Sequence, residues 1–114
     1  MIQNQIDPYI RVCMKAWLMC ESAIHTELKQ EKPREELLRA CGDCGRSCFT
    51  LVSQLASDQP FPPGDRILEC LIDCRHCART CEDWGENEDD FELCKEACLH
   101  CADFLKDILP IQAN

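Results

Sequence analysis

The sequence predicts an all-α fold, an up-down-up-down antiparallel four-helix bundle with a cysteine-lined core. Three observations carry that prediction. Turn-forming residues cut the 114 residues into four segments. Within each segment the apolar residues recur in alternating steps of three and four, the a and d spacing of helices packed nearly parallel to their neighbours. Between the breaks β-branched residues are sparse and nothing alternates with period two, which argues against strands. Short connections make successive helices antiparallel. The length fits one domain, 1–114, and a 46% apolar content supplies one core.

The first helix is predicted over 8–30, with Asp7-Pro8 read as an N-cap followed by proline at the first helical position. Its seam is Ile6, Ile10, Cys13, Trp17, Cys20 and Ile24. Pro33 opens the second helix, 33–57, and Glu35 and Glu36 lie in its first turn, where carboxylates suit the helix dipole. The seam there is Leu37, Cys41, Cys44, Cys48, Leu51 and Leu55. The cluster Pro60-Phe61-Pro62-Pro63-Gly64 separates it from the third helix, 64–84, whose seam is Ile67, Cys70, Cys74, Cys77, Cys81 and Trp84. Gly85 reads as a helix stop, and Asn87-Glu88-Asp89-Asp90 as the cap and acidic first turn of the fourth helix, 88–109. That helix carries Phe91, Cys94, Cys98, Cys101, Leu105 and Ile108 and is expected to end at Pro110.

All 12 cysteines therefore fall on seam positions. Stacking antiparallel seams predicts layers. Ile24, Leu37, Trp84 and Phe91 close one end. An all-thiol layer follows, Cys20 with Cys41, Cys81 and Cys94, and then Trp17 with Cys44, Cys77 and Cys98. A second all-thiol layer joins Cys13, Cys48, Cys74 and Cys101. Ile10, Leu51, Cys70 and Leu105 come next, and Ile6, Leu55, Ile67 and Ile108 close the other end.

Composition excludes some functions. A formal net charge of −9 argues against nucleic-acid binding, which needs clustered Lys and Arg. No apolar run approaches the ~20 residues of a membrane span. The opening stretch Met1-Ile2-Gln3-Asn4-Gln5-Ile6-Asp7 has neither a basic nor an apolar targeting region, so the reading is cytoplasmic. In a reducing compartment clustered cysteines are thiols, more often metal ligands or redox centres than disulfides.

Cysteine alone makes a poor core. Bundle layers need Leu-sized side chains to reach native packing density, and stacked thiols leave that volume short. Large-to-small changes in a core cost roughly 2–5 kcal/mol each, against a whole-domain stability of about 5–15 kcal/mol. Thioredoxin-like chemistry does not fit either. The pairs Cys41/Cys44, Cys74/Cys77 and Cys98/Cys101 have its CxxC spacing, but they lie mid-helix without a βαβ context. Metal remains. Soft thiolates select Cu(I), Zn(II) or iron–sulfur clusters, and a continuous helical array suggests several ions rather than one structural ion. The CxxxC pairs Cys44/Cys48, Cys70/Cys74, Cys77/Cys81 and Cys94/Cys98 place Cβ atoms ~5–6 Å apart, which suits two-coordinate Cu(I). The four-thiol layers would alternatively serve a [4Fe-4S] cubane or tetrahedral Zn(II).

The second half resembles a known family. Cys70-Leu-Ile-Asp-Cys74-Arg-His-Cys77-Ala-Arg-Thr-Cys81 and Cys94-Lys-Glu-Ala-Cys98-Leu-His-Cys101-Ala-Asp are similar to the interleaved CxxxC and CxxC repeats of the cysteine-rich four-helix-bundle copper storage proteins, cytosolic branch. The resemblance implies homotetramers of bundles that load many Cu(I) ions onto core cysteines, to keep copper sequestered or to supply copper enzymes. It makes Cys13, Cys20, Cys41, Cys44, Cys48, Cys70, Cys74, Cys77, Cys81, Cys94, Cys98 and Cys101 candidate ligands. It also implies histidines around the last connection, at the bundle mouth where copper enters; here that connection, Trp84 to Phe91, is acidic and has none.

His25, His76 and His100 fall on outward positions, Met14 reads as gap filler beside Cys13, and the acidic run Glu86 to Asp90 reads as capping and solvation. No catalytic constellation stands out. The sequence thus predicts a non-enzymatic store for multiple Cu(I) ions, with an iron–sulfur protein as the alternative.

Overall fold

Four helices follow one another along the chain: α1 (Ile2–Leu28), α2 (Glu35–Ala56), α3 (Gly64–Trp84) and α4 (Asp89–Ala113). They come from a computed structural model that describes the backbone of residues 2–57, 62 and 64–113, and the side chains of 7–57, 62 and 64–109. The seam position of Ile6 and most of the turn between α2 and α3 lie outside the described residues. Each helix packs on the helices before and after it, and α1 packs on α4, which closes the ring. Cross-helix contacts run in opposite order along each adjacent pair: Cys13 meets Cys101 while Thr26 meets Asp90, and Cys41 meets Cys77 while Cys48 meets Cys70. The bundle is antiparallel throughout.

The helix limits differ from expectation at the two prolines. Asp7-Pro8 is not a cap: α1 begins at Ile2 and Pro8 lies inside it. Likewise α4 continues past residue 110 to Ala113. A proline removes one helical donor and crowds the preceding turn without forbidding helical φ, and here each helix extends less than two turns beyond it. At α2 the backbone turns helical at Glu35, two residues after Pro33, with Glu35 and Glu36 in the first turn as expected. The α3–α4 connection matches its sequence. Gly85 ends α3, and its place is set by Phe91, since a Cβ on Gly85 would lie 2.5 Å from the Phe91 Cβ. Asn87 takes a left-handed φ of 67°, which asparagine tolerates better than most residues. The carbonyl of Glu88 accepts from Phe91 and Glu92 and starts α4.

We call the end carrying the connections 29–34 and 85–88 the upper end. The lower end is closed by buried Leu51, Leu55, Ile67, Leu105 and Ile108, with Ile10 packed against them. Between the ends lie the cysteines.

The α1 seam is rotated from its expected register. Trp17 and Ile24 are only partly buried, while Ala16 and Ala23 are wholly enclosed. An indole is too large to share a layer with three thiols on the bundle axis. Instead Trp17 lies over the α1–α2 groove, with its ring centroid 5.1 Å from that of Phe49 and its Cδ1 against Gly45. The alanines leave α1 free to approach the axis closely. At the upper end Leu37 and Phe91 are buried as expected, but Trp84 is 46% exposed and does not complete their layer.

An ion-pair cluster takes the place of Trp84. Glu27 is 1% exposed, and Arg34 grips it with a bidentate fork, Nε to Oε2 at 2.9 Å and Nη2 to Oε1 at 2.8 Å. The backbone N–H of Arg34 donates to the same carboxylate at 2.6 Å. The guanidinium also donates to the Trp84 carbonyl at 2.6 Å and to both Glu88 oxygens at 3.1 and 3.2 Å. It lies 5.6 Å from the Phe91 ring centroid, within cation–π range. One side chain thus ties together the ends of α1 and α3 and the starts of α2 and α4. Hydrogen bonds from Arg34, opposed by burial, hold the Glu27 carboxyl below the usual carboxylate range.

A carboxyl with a depressed folded pKa contributes stability that is present above its unfolded pKa of about 4.3 and lost as the pH falls through the folded value. Replacing Glu27 by Gln should cost roughly 2–3 kcal/mol at pH 7. Urea melts of wild type and E27Q should therefore diverge at pH 7 and converge as the pH drops towards 3. A gap independent of pH would contradict the assignment.

Candidate metal centre

The twelve cysteines are all free thiols and all buried. They belong to helices whose remaining seam residues are largely aliphatic, so the sulfurs project into a dry interior. Cys41, Cys44 and Cys48 come from α2; Cys70, Cys74, Cys77 and Cys81 from α3; Cys94, Cys98 and Cys101 from α4; and Cys13 and Cys20 from α1.

The sulfurs touch one another along the axis. At the upper edge Cys77 lies 3.8 Å from Cys41 and 3.9 Å from Cys94. Cys20 reaches Cys94 at 3.8 Å, and Cys77 and Cys98 at 3.9 Å. Cys44 is 3.6 Å from both Cys98 and Cys74, and Cys48 is 3.7 Å from both Cys74 and Cys70. Cys101 and Cys13 close the lower edge at 3.6 Å. These separations are nearly twice a disulfide bond of about 2.05 Å. They match the edge of a coordination polyhedron instead: sulfurs placed tetrahedrally at about 2.3 Å from an ion lie about 3.8 Å apart.

Three sets of four sulfurs each lie within 4.8 Å of one another: Cys20, Cys44, Cys77 and Cys98; Cys41, Cys77, Cys81 and Cys94; and Cys48, Cys70, Cys74 and Cys101. Cys77 belongs to two of them, and Cys44 touches the third through Cys48 and Cys74. The sets therefore merge into one ladder, to which Cys13 is attached through Cys101. This differs from the predicted layers. Cys20 sits a layer lower than expected, in the place assigned to Trp17, because α1 turns its alanines inward. Cys41, Cys81 and Cys94 take a second α3 thiol, Cys77, in its stead. Cys70 belongs to the thiol array and not to the aliphatic layer below it.

Hydrogen bonding among the thiols comes first, and burial second, in pushing up Cys13 (through Cys101 and Cys70) and Cys94 (through Cys20 and Cys41). Cys20 is raised in the same way, first through Cys41, Cys44 and Cys77. Charged thiolates are costly in this interior unless a cation replaces the protons. The arrangement is suited to binding soft monovalent or divalent ions through shared sulfurs.

Other candidates stay outside. His25, His76 and His100 are exposed, with His100 edge-on to Phe104 at 5.0 Å, and Met14 is 39% exposed. In the acidic run, Glu88 pairs with Arg34 and the Asp90 carboxylate accepts from Thr26, so two of its members fasten the upper end. Glu27 and Arg34 were not singled out from sequence. Their signal was there: continuing the seams one step past Ile24 and one step before Leu37 lands on Glu27 and Arg34.

Among the described residues no helix is long and apolar enough to cross a membrane. No curated protein and no solved structure matches the chain. A model of the Csp family, described as copper storage protein, matches residues 2–109. A match over nearly the whole sequence, on a four-helix bundle whose axis is lined with thiols, makes this chain a member of the copper storage protein family.

Proposed function

We propose that the chain stores multiple Cu(I) ions on the thiolates of all twelve cysteines, the whole bundle acting as one metal-binding domain. Membership of the family indicates copper storage. The observation that carries the finer reading is the sharing of sulfurs. An isolated structural zinc site is closed by four ligands, whereas here Cys77 belongs to two sets at once and the ladder is continuous. Bridging thiolates in low-coordinate arrays are the chemistry of Cu(I), which soft sulfur ligands favour. A cubane of four irons and four sulfides needs its cysteine sulfurs spread around it. Sets drawn within 4.8 Å of one another enclose space for single ions, which speaks against the iron–sulfur alternative.

The role is sequestration and supply, not catalysis, with the thiols kept reduced in the cytoplasm. We further propose a homo-oligomer, a tetramer by family resemblance. Exposed Leu68 and Ile72, one turn apart on α3, support self-association.

Titration of reduced apo-protein with Cu(I) against a strong chelator should reach at least one ion per pair of the 12 cysteines, about six per chain. The loaded protein should be colourless and melt at higher temperature than the apo form, since the ions bind only the folded state. Saturation at one or two ions, a brown chromophore, or equal melting temperatures would contradict the reading.

Each ion displaces thiol protons, so affinity should fall as the pH is lowered, by about two powers of ten per unit where two protons leave per ion. Competition titrations at pH 6 and 8 read this directly, and pH-independent binding would exclude thiolate ligation. Position should matter as well. Cys77→Ser removes a sulfur shared by two sets, and Cys13→Ser removes one at the margin. Copper per chain should drop further in C77S than in C13S, and equal losses would argue against a shared ladder.

A further inference from the structure

Ions bound on the axis must pass through a wall that the structure shows closed, and the wall is not equally thick everywhere. Below the sulfurs lies an aliphatic plug, Leu51, Leu55, Ile67, Leu105 and Ile108, all buried. Along the sides the helix backbones and their alanines stand between sulfur and solvent. Of the twelve cysteines only Cys41 and Cys81, at the upper edge of the array, retain any exposure, 1% each. Above them are Leu37, Phe91 and the Arg34 cluster.

We propose that Arg34 is a latch over the sulfur array, and that Cu(I) reaches Cys41, Cys81 and Cys94 only when its bonds to Glu27 and Glu88 open. The inference rests on the storage reading and adds to it the route and the residue that controls it. Several features fit a latch rather than a permanent strut. Arg34 bonds to all four helices at this end, through Glu27, its own backbone, the Trp84 carbonyl and Glu88. Its side chain is 29% exposed and that of Glu88 41%, so water competes for the bond between them, while the fork to buried Glu27 is the bond that limits opening. Swinging the guanidinium away leaves the Glu27 and Glu88 carboxylates facing the passage, where they favour an incoming cation over an anion. In the closed form the guanidinium is held against both carboxylates and lies over the Phe91 ring, 5.6 Å from its centroid. Capacity is set by the sulfurs below and is untouched by the latch; the rate of loading and of release is what it governs.

The test separates rate from capacity. Reduced apo-protein is mixed in a stopped-flow instrument with Cu(I) supplied as its bathocuproine disulfonate complex, whose colour is lost on transfer, and the final ion count is read from the same trace. Arg34→Met and Glu27→Gln should load about tenfold faster than wild type or more, to the same end point, with Glu88→Gln between. Should R34M not fold, Arg34→Lys carries the test, because it keeps the charge and loses the bidentate fork. Leu55→Ala, in the plug at the opposite end, controls for general loosening and should change the rate less than about twofold. Rates within twofold of wild type for R34M (or R34K) and E27Q overturn the latch. So does an acceleration by L55A equal to theirs. If neither wild type nor any variant takes up Cu(I), the storage reading fails and the latch falls with it, an outcome distinct from equal rates to a full end point.

Discussion

Sulfur in contact with sulfur along the axis is the constraint on which the rest of this bundle depends. Thiols are small, weakly hydrogen-bonding and apolar enough to be buried, but they fill far less space than the leucines of an ordinary bundle. Helices can bring them to 3.6–4.0 Å of one another only by drawing close together. That requires small neighbours on the same seams, and Ala16, Ala23, Ala78 and Ala102 are buried beside the cysteines. It also expels bulk. Trp17, on a seam position, is turned out onto Gly45 and Phe49, and large side chains are confined to the two ends.

Electrostatics reinforces the packing. Thiol–thiol hydrogen bonds push sulfurs such as Cys20 and Cys94 up and draw others such as Cys41 and Cys98 down, while burial opposes charge on all of them. Each proton that a sulfur gives up leaves a charge that a bound cation must balance in this interior. A dry, sulfur-only interior thus suits soft, thiophilic cations. The charged residues of the structure are kept where they act without disturbing this balance. At the upper end Arg34 is paired with both Glu27 and Glu88, with the acidic first turn of α4 beside them.

Much of this was legible in the residues themselves. The number of helices, the limits of α3, the Gly85 stop and the inward placement of all twelve cysteines follow from step patterns and turn residues, because helix periodicity is a local property. The lower plug was legible for the same reason. Prolines misled: Pro8 and Pro110 were read as boundaries, although a proline near a helix end weakens the ladder without ending it. Layer composition was read less well. A heptad assigns a residue to a face about 100° wide, and neighbours such as Ala16 and Trp17, or Ala23 and Ile24, stand about 100° apart at its two edges, so a modest helix rotation exchanges them.

The residue types and their spacing determined that a helical bundle would present thiols to its own interior, because a side chain's face follows from its position in a helix of known pitch. Only the tertiary structure decided which sulfurs meet. That choice depends on how far each helix rotates and slides to fit the volumes opposite it, a property of four chain segments together. The same fit put Cys20 level with Cys44, Cys77 and Cys98, and joined Arg34 to Glu27 and Glu88 across gaps of 7 and 54 residues. No single segment contains that information.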